Sequence, residues 1–177
     1  MKKSDYIPKI KRVSIFRCLT DEELEDLLEF VNIVIFEEGS LIVTEGEVSP
    51  FFFSILEGTV HVSVKKDDRD DVYISALGEG DIFGEAGLFM KVARTANVTS
   101  DDQTTLLRMH RRDLFEFVRD HHTAGMKIFL LIIFSLLKKL KSAGQELAFE
   151  RRELLGQEDI DKLVSELTSK VEDTPTE

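Results

Sequence analysis

The sequence predicts an α+β fold: a small β-sandwich or barrel of short strands, with N-terminal helices before it and one long C-terminal helix after it. Three observations predict it. Between Ile33 and Met109, short runs of Val, Ile, Leu and Phe recur at even spacing, and glycine-bearing acidic turns separate many of them. Ahead of them, Thr20-Asp21-Glu22-Glu23 precedes Leu24, Leu27, Leu28 and Val31 at helical spacing. Behind them, Ala124 to Glu150 carries one long helical pattern.

Residues 6–17 mix apolar and basic positions and predict a short opening helix. Thr20 can cap the next helix, over 21–31, with Glu23 supplying the capping-box carboxylate. From Ile33 the period changes from helical to strand-like. Ile33–Phe36 runs into Glu37-Glu38-Gly39, Leu41–Val43 into Glu45-Gly46-Glu47, and Phe51–Ile55 into Glu57-Gly58. Val60, Val62 and Val64 alternate, which turns His61 outward, and Val72, Ile74 and Leu77 lead to Gly78-Glu79-Gly80. Val92–Val98 and Thr104–Met109 complete the roll, and Arg111–Val118 reads as a short helix. The chain divides into an N-terminal helical segment (1–31), the β-roll (32–123), the long helix (124–155) and an acidic tail (156–177).

Composition narrows the function. The net charge of −11 argues against the whole chain being a nucleic-acid binder, because neutralising phosphates takes clustered Lys and Arg. The single cysteine, Cys18, can form no internal disulfide or Cys-ligated metal site and reads as a small buried hydrophobe in a reducing cytosol. No signal-peptide stretch follows the basic N-terminus. The longest apolar run, Ile128–Leu137, is ten residues against the ~20 that cross a bilayer. The chain is therefore expected to be soluble and cytoplasmic. The four histidines lack metal-ligand spacing, and neither a nucleophile elbow nor a P-loop is present, so no catalytic residue, metal or cofactor is expected.

The segment that carries chemistry is Phe83-Gly84-Glu85-Ala86-Gly87-Leu88-Phe89, followed by Val92-Ala93-Arg94-Thr95-Ala96-Asn97-Val98. Gly84 and Gly87 permit close backbone approach. A helical turn starting there would aim unpaired N–H groups at one point, which suits an anion. Glu85 adds a carboxylate acceptor. Arg94, entering what reads as the next strand, matches a phosphate with two parallel hydrogen bonds. Thr95 adds a hydroxyl. Backbone donors and a cation for a phosphate, beside a carboxylate for a hydroxyl, are what a ribose cyclic phosphate requires.

Gly-Glu-x-x-Leu followed by Arg-x-Ala-x-Val resembles the phosphate-binding cassette of cyclic-nucleotide-binding domains. Glu45-Gly46-Glu47, Ile55-Leu56-Glu57-Gly58-Thr59-Val60 and Gly80–Glu85 fall in that family's order and spacing. The resemblance covers about 16–149, is greatest within the family to the effector domain of the catabolite activator protein, and implies that the strands form an eight-stranded, double-sheet β-roll of the jelly-roll kind. It implies that Glu85 accepts the ribose 2′-hydroxyl. Arg94 and the N–H groups of Ala86 and Gly87 would hold the phosphate, and Thr95 would reach the phosphate or a syn base. Val62, Ile74 and Phe83 would wall the ribose and base. The base edge would be met from the long helix at Ser142-Ala143-Gly144-Gln145, where Ser142 or Gln145 substitutes for activator-like hydroxyls. Ala93 replaces a proline frequent in the kinase branch, and Phe52 or Phe53 replaces a Tyr.

Met126, Ile133, Leu140 and Leu147 recur every seven residues, with Phe129, Leu136 and Ala143 between them. This seam predicts a homodimer through the 126–147 helix, while Ile128, Ile132 and Leu137 pack back on the roll. Only 28 residues follow Phe149, an acidic stretch expected to be too short for a DNA-reading domain. The expected function is a stand-alone sensor of cAMP or cGMP acting on a protein partner that the sequence does not identify. The alternatives are a ligand-free dimerisation module, or a transcription regulator without its own reader.

Overall fold

A computed structural model describes residues 2–67 and 70–145. The strands are β1 (Val31–Phe36), β2 (Leu41–Val43), β3 (Phe51–Glu57), β4 (Val60–Asp67), β5 (Asp70–Leu77), β6 (Ile82–Phe83), β7 (Asn97–Ser100) and β8 (Thr104–His110). They form two four-stranded sheets, ordered β1-β8-β3-β6 and β2-β7-β4-β5, with every pairing antiparallel. This is the expected double-sheet roll.

The inside of the roll is lined from both sheets by Val43, Phe53, Ile55, Val60, Phe83, Val98 and Leu106. The opposite face of the first sheet carries Phe52, Leu56, Leu107 and Met109 and packs against helical residues, among them Phe16, Leu24, Leu27, Leu114, Phe117, Ile128 and Ile132. β3 is therefore covered on both faces, which is why Phe51-Phe52-Phe53-Ser54-Ile55-Leu56 is a near-continuous apolar run rather than an alternating one.

The helical elements are a 3₁₀ turn (Lys3–Tyr6), α1 (Ile7–Ile10), α2 (Asp21–Leu27), α3 (Ala86–Phe89), α4 (Arg111–Asp120) and α5, over 122–145. α2 begins as its sequence requires: Thr20 accepts from the Glu23 N–H and Glu23 accepts from the Thr20 N–H. The opening helix is shorter than expected, because residues after Ile10 form successive turns that bury Val13, Ile15, Phe16 and Leu19. Those turns leave Cys18 exposed, which corrects the expectation of a buried thiol.

α5 carries a buried stripe of Ala124, Ile128 and Ile132, flanked by Phe129 and Leu131 against the same core. Leu137, expected to pack back, is 55% exposed. Phe129, expected on the dimer seam, instead meets the rings of Phe89 and Phe115 at 6.0 and 6.2 Å. The first compact unit ends at Ser135; 136–145 belong to a second and are helical. Among the described residues, no helix is long and apolar enough to cross a membrane. Leu147, the end of the long helix and the acidic tail lie outside the described residues.

The start of α5 is tied to α2 by Lys127, whose Nζ donates to both carboxylate oxygens of Glu23 at 2.8 and 2.7 Å. Burial alone pushes the Glu23 carboxyl up. The hydrogen bonds from Lys127 and Thr20 and the Lys127 charge outweigh it and hold the group below its ordinary value. A carboxyl lowered in the folded state stabilises the fold above the ordinary carboxylate range and loses that contribution as pH falls through its lowered value. Lys127→Met is expected to cost on the order of 1 kcal/mol at neutral pH. The difference from the unmodified chain should shrink below about pH 4, read from urea denaturation midpoints across pH.

Candidate functional site

The cassette is a loop and one helical turn between β6 and β7. Phe83, the last residue of β6, stacks on Phe53 at 5.0 Å and anchors the segment to the inside of the roll. Gly84 follows with φ +78°, in the left-handed region that favours glycine. The reversal starts α3 at once. Glu85 precedes the helix and is only 7% exposed, so a carboxylate is held inside the roll's wall.

Arg94 does not enter a strand, as the sequence suggested; β7 begins at Asn97. Arg94 lies in the preceding segment, which is pinned to the β2–β3 loop. The Arg94 N–H donates to the Glu47 carbonyl at 2.8 Å, the Gly46 N–H donates to the Arg94 carbonyl at 2.9 Å, and Ala93 pairs with Val48. Asn97 accepts from the Glu45 N–H at 2.8 Å and fixes the other side of that loop.

With its backbone fixed, the Arg94 side chain turns inward and is 9% exposed. Nη1 donates to the Gly84 carbonyl at 3.0 Å, and Nη2 donates to the carbonyl of Phe51. Nε is buried and has no hydrogen-bond partner among the described residues. Burial lowers the guanidinium pKa, and the Glu85 and Glu47 carboxylates oppose that shift. The group remains a cation, since arginine does not deprotonate in proteins. A buried cation that still has N–H groups to give, beside a buried carboxylate, can hold an oxyanion next to a hydroxyl.

The packing is close. A Cβ on Gly84 would stand 2.6 Å from Arg94 Nη1, and one on Gly87 would stand 2.7 Å from the Ser49 carbonyl oxygen. The structure thus brings together Gly84, Glu85, Ala86, Gly87 and Arg94. It changes one expectation within that group: the Gly87 N–H already donates to the Gly84 carbonyl at 3.1 Å. An incoming anion must take it from that acceptor. Thr95 is exposed next to Arg94.

Of the expected walls, Phe83 and the half-buried Val62 belong to the apolar lining of the roll. Ile74 does not. Val62 pairs with Ser75 and Ser63 with Tyr73, so Ile74 is the extra residue of a bulge in β5, and it is 55% exposed. Ser142 and Gln145 are exposed helical residues of the second unit.

Sequence reasoning gave no role to Glu47, whose charge acts on Arg94, or to Phe51 and Ser49, whose carbonyls line the cassette. Glu45-Gly46-Glu47 is a visible motif, but backbone acceptors leave no side-chain signature. Gly84→Ala places a side chain at positive φ and against Arg94, so it is expected to cost on the order of 1–3 kcal/mol in denaturant unfolding.

The comparisons agree on the family. The family model described as "Cyclic nucleotide-binding domain" matches residues 33–121, half of the chain. The chain is 41% identical over 91 residues to a cGMP-dependent protein kinase of Plasmodium berghei, a match covering 51% of this chain and 10% of the kinase. It is 38% identical over 93 residues to a cAMP-dependent protein kinase type I-alpha regulatory subunit of Mesocricetus auratus, covering 52% of this chain and 54% of the subunit. The chain therefore spans about a tenth of the kinase and about half of the regulatory subunit. The fold resembles the catabolite activator protein of Thermus thermophilus (TM-score 0.68, 22% identity, 77% of this chain and 62% of that one). It also resembles a cyclic nucleotide-binding domain of Methylobacillus flagellatus (TM-score 0.69, 18% identity, 79% of each). Matched along half its length by the family's model, and carrying the buried Arg94 and Glu85 in one cassette, the chain belongs to the cyclic nucleotide-binding domain family.

Proposed function

We propose that this chain is a non-catalytic sensor that binds a purine 3′,5′-cyclic nucleotide, cAMP or cGMP, in the cassette between Gly84 and Thr95. One observation carries the reading: Arg94 is buried as a cation, its Nε has no partner among the described residues, and the buried Glu85 stands close enough to act on its charge. The cyclic phosphate would complete the hydrogen bonds of Arg94, and Glu85 would accept from the ribose hydroxyl. The relatives named for cGMP and for cAMP both support a cyclic nucleotide, and they leave the purine open.

The rival is a ligand-free module of the same fold. The two carbonyls that already accept from Arg94 favour it. Calorimetric titration with each nucleotide decides between the two. Binding of at least one below about 100 µM is expected, and failure of both would overturn the sensor reading. Arg94→Ala is expected to weaken binding more than a hundredfold, because the phosphate would be left buried without its cation, a loss of about 3–5 kcal/mol.

The output is proposed to run through α5 to a protein partner in the cytoplasm, with no DNA contact, and with a homodimer as the signalling form. Met126, Leu130, Ile133 and Phe134 are each at least half exposed, as are Leu137 and Leu140 further along. Positions 126, 133 and 140, with 130 and 137 between them, recur every seven residues, the spacing of a two-helix seam. On the first unit Leu130 is exposed between Met126 and Ile133, where the sequence suggested Phe129. Light scattering of the full chain is expected to give a dimer, and Ile133→Glu a monomer. A monomeric unmodified chain at tens of micromolar would remove this part of the proposal.

A further inference from the structure

Phe51 links two arginines, only one of which the nucleotide reading uses. It opens β3 directly opposite His110 of β8, and its carbonyl accepts from Arg94 Nη2. Its ring is covered by a second cation: Cζ of Arg108 stands 4.9 Å from the ring centroid. The His110 ring meets it edge-on at 5.1 Å and 77°. Arg108 lies opposite Phe53, which in turn lies opposite Phe83, so all three share the face that lines the inside of the roll.

An arginine on that face would ordinarily be neutralised by a carboxylate. Among the described residues Arg108 makes no ion pair, and its Nε is buried without a hydrogen-bond partner. Its guanidinium instead lies over the π-face of Phe51. The direction of the Phe51 carbonyl is set by the same backbone that carries the ring, so a ring fixed between guanidinium and imidazole also fixes the carbonyl. That carbonyl and the Gly84 carbonyl are the two acceptors that orient the Arg94 guanidinium.

We propose that Arg108 is a positioning residue for phosphate capture: by stacking on Phe51 it fixes the carbonyl that aims Arg94, without itself touching the nucleotide. The proposal rests on the reading of Arg94 as the phosphate ligand. The contact also supplies a reason for a phenylalanine at the first position of β3, where the ring is half-buried.

The test uses the full chain and two readouts. The first is calorimetric titration with cAMP and cGMP of the unmodified chain, Arg108→Met, Arg108→Lys, Phe51→Leu and the Phe51→Leu/Arg108→Met pair. Arg108→Met is expected to weaken binding about five- to thirtyfold. Lysine, still a cation over the ring, is expected to restore it to within threefold. In the Phe51→Leu background the Arg108 substitution should have no further effect. The second readout needs no nucleotide. The side-chain Nη resonances of Arg94 should be resolved in the unmodified chain, where both nitrogens are held by carbonyls, and should merge by faster rotation in Arg108→Met.

Unchanged affinity together with unchanged Arg94 resonances would overturn the proposal. So would an Arg108→Met loss that persists in full without the Phe51 ring, since that would mark a direct ligand contact. If the unmodified chain binds neither nucleotide, the sensor reading falls, and the resonances alone then decide whether Arg108 orders Arg94. If Arg108→Met does not fold, Arg108→Gln replaces it in both readouts.

Discussion

The structure turns on a buried guanidinium that the described residues satisfy in part, and only in part. Arg94 is held by two carbonyls from separate parts of the chain, one on the glycine that follows β6 and one at the start of β3. A buried charge of this kind costs several kcal/mol unless it is paired and hydrogen-bonded. The surrounding structure is arranged to meet that cost. The Arg94 backbone is stitched to Gly46 and Glu47, two carboxylates favour its charged form, and Gly84 and Gly87 let the cassette close around it. Remove the arginine and these features have no common purpose.

The same constraint explains which parts of the molecule were legible beforehand. Gly84, Glu85 and Arg94 announce themselves because close approach, a fixed carboxylate and a planar cation each demand a particular residue type at a particular spacing. The strands were legible because their faces are: the double burial of β3 is written in its run of Phe and Ile, and the capping box of α2 in Thr20 and Glu23. Where contacts run through main-chain carbonyls, as at Ser49 and Phe51, the accepting atom leaves no side-chain signature and the sequence is silent about the contact. Ile74 was misjudged for a related reason. A bulge shifts the register by one, and alternation in the sequence does not show where the pairing slips. Cys18 shows the limit of composition, since a single turn of chain decides whether a thiol faces the core.

Long-range packing was only half visible. The helical period separates a buried stripe on α5 from an exposed one, and Ile128 and Ile132 lie where that period puts them. The period leaves open which flank joins the core. Phe129 joins it because Phe89 of the cassette and Phe115 of α4 reach it. This places an aromatic contact between the segment proposed to capture phosphate and the helix proposed to carry the signal, on a single unit of structure.

That contact gives the sensor reading a physical route. A ligand shifts an equilibrium only by the difference in its affinity for the two states. In the structure described here the Gly87 N–H and Arg94 Nη1 share one acceptor, the Gly84 carbonyl. Nη1 keeps a second N–H, but a phosphate would compete with that carbonyl for the single Gly87 N–H, so capture through that amide requires a change in the geometry of α3. α3 is one turn long and ends at Phe89, so it cannot absorb the change internally, and Phe89 must move relative to Phe129 or carry it along. Substitution at Phe129 should therefore alter the coupling between nucleotide and α5 more than it alters the phosphate contacts themselves.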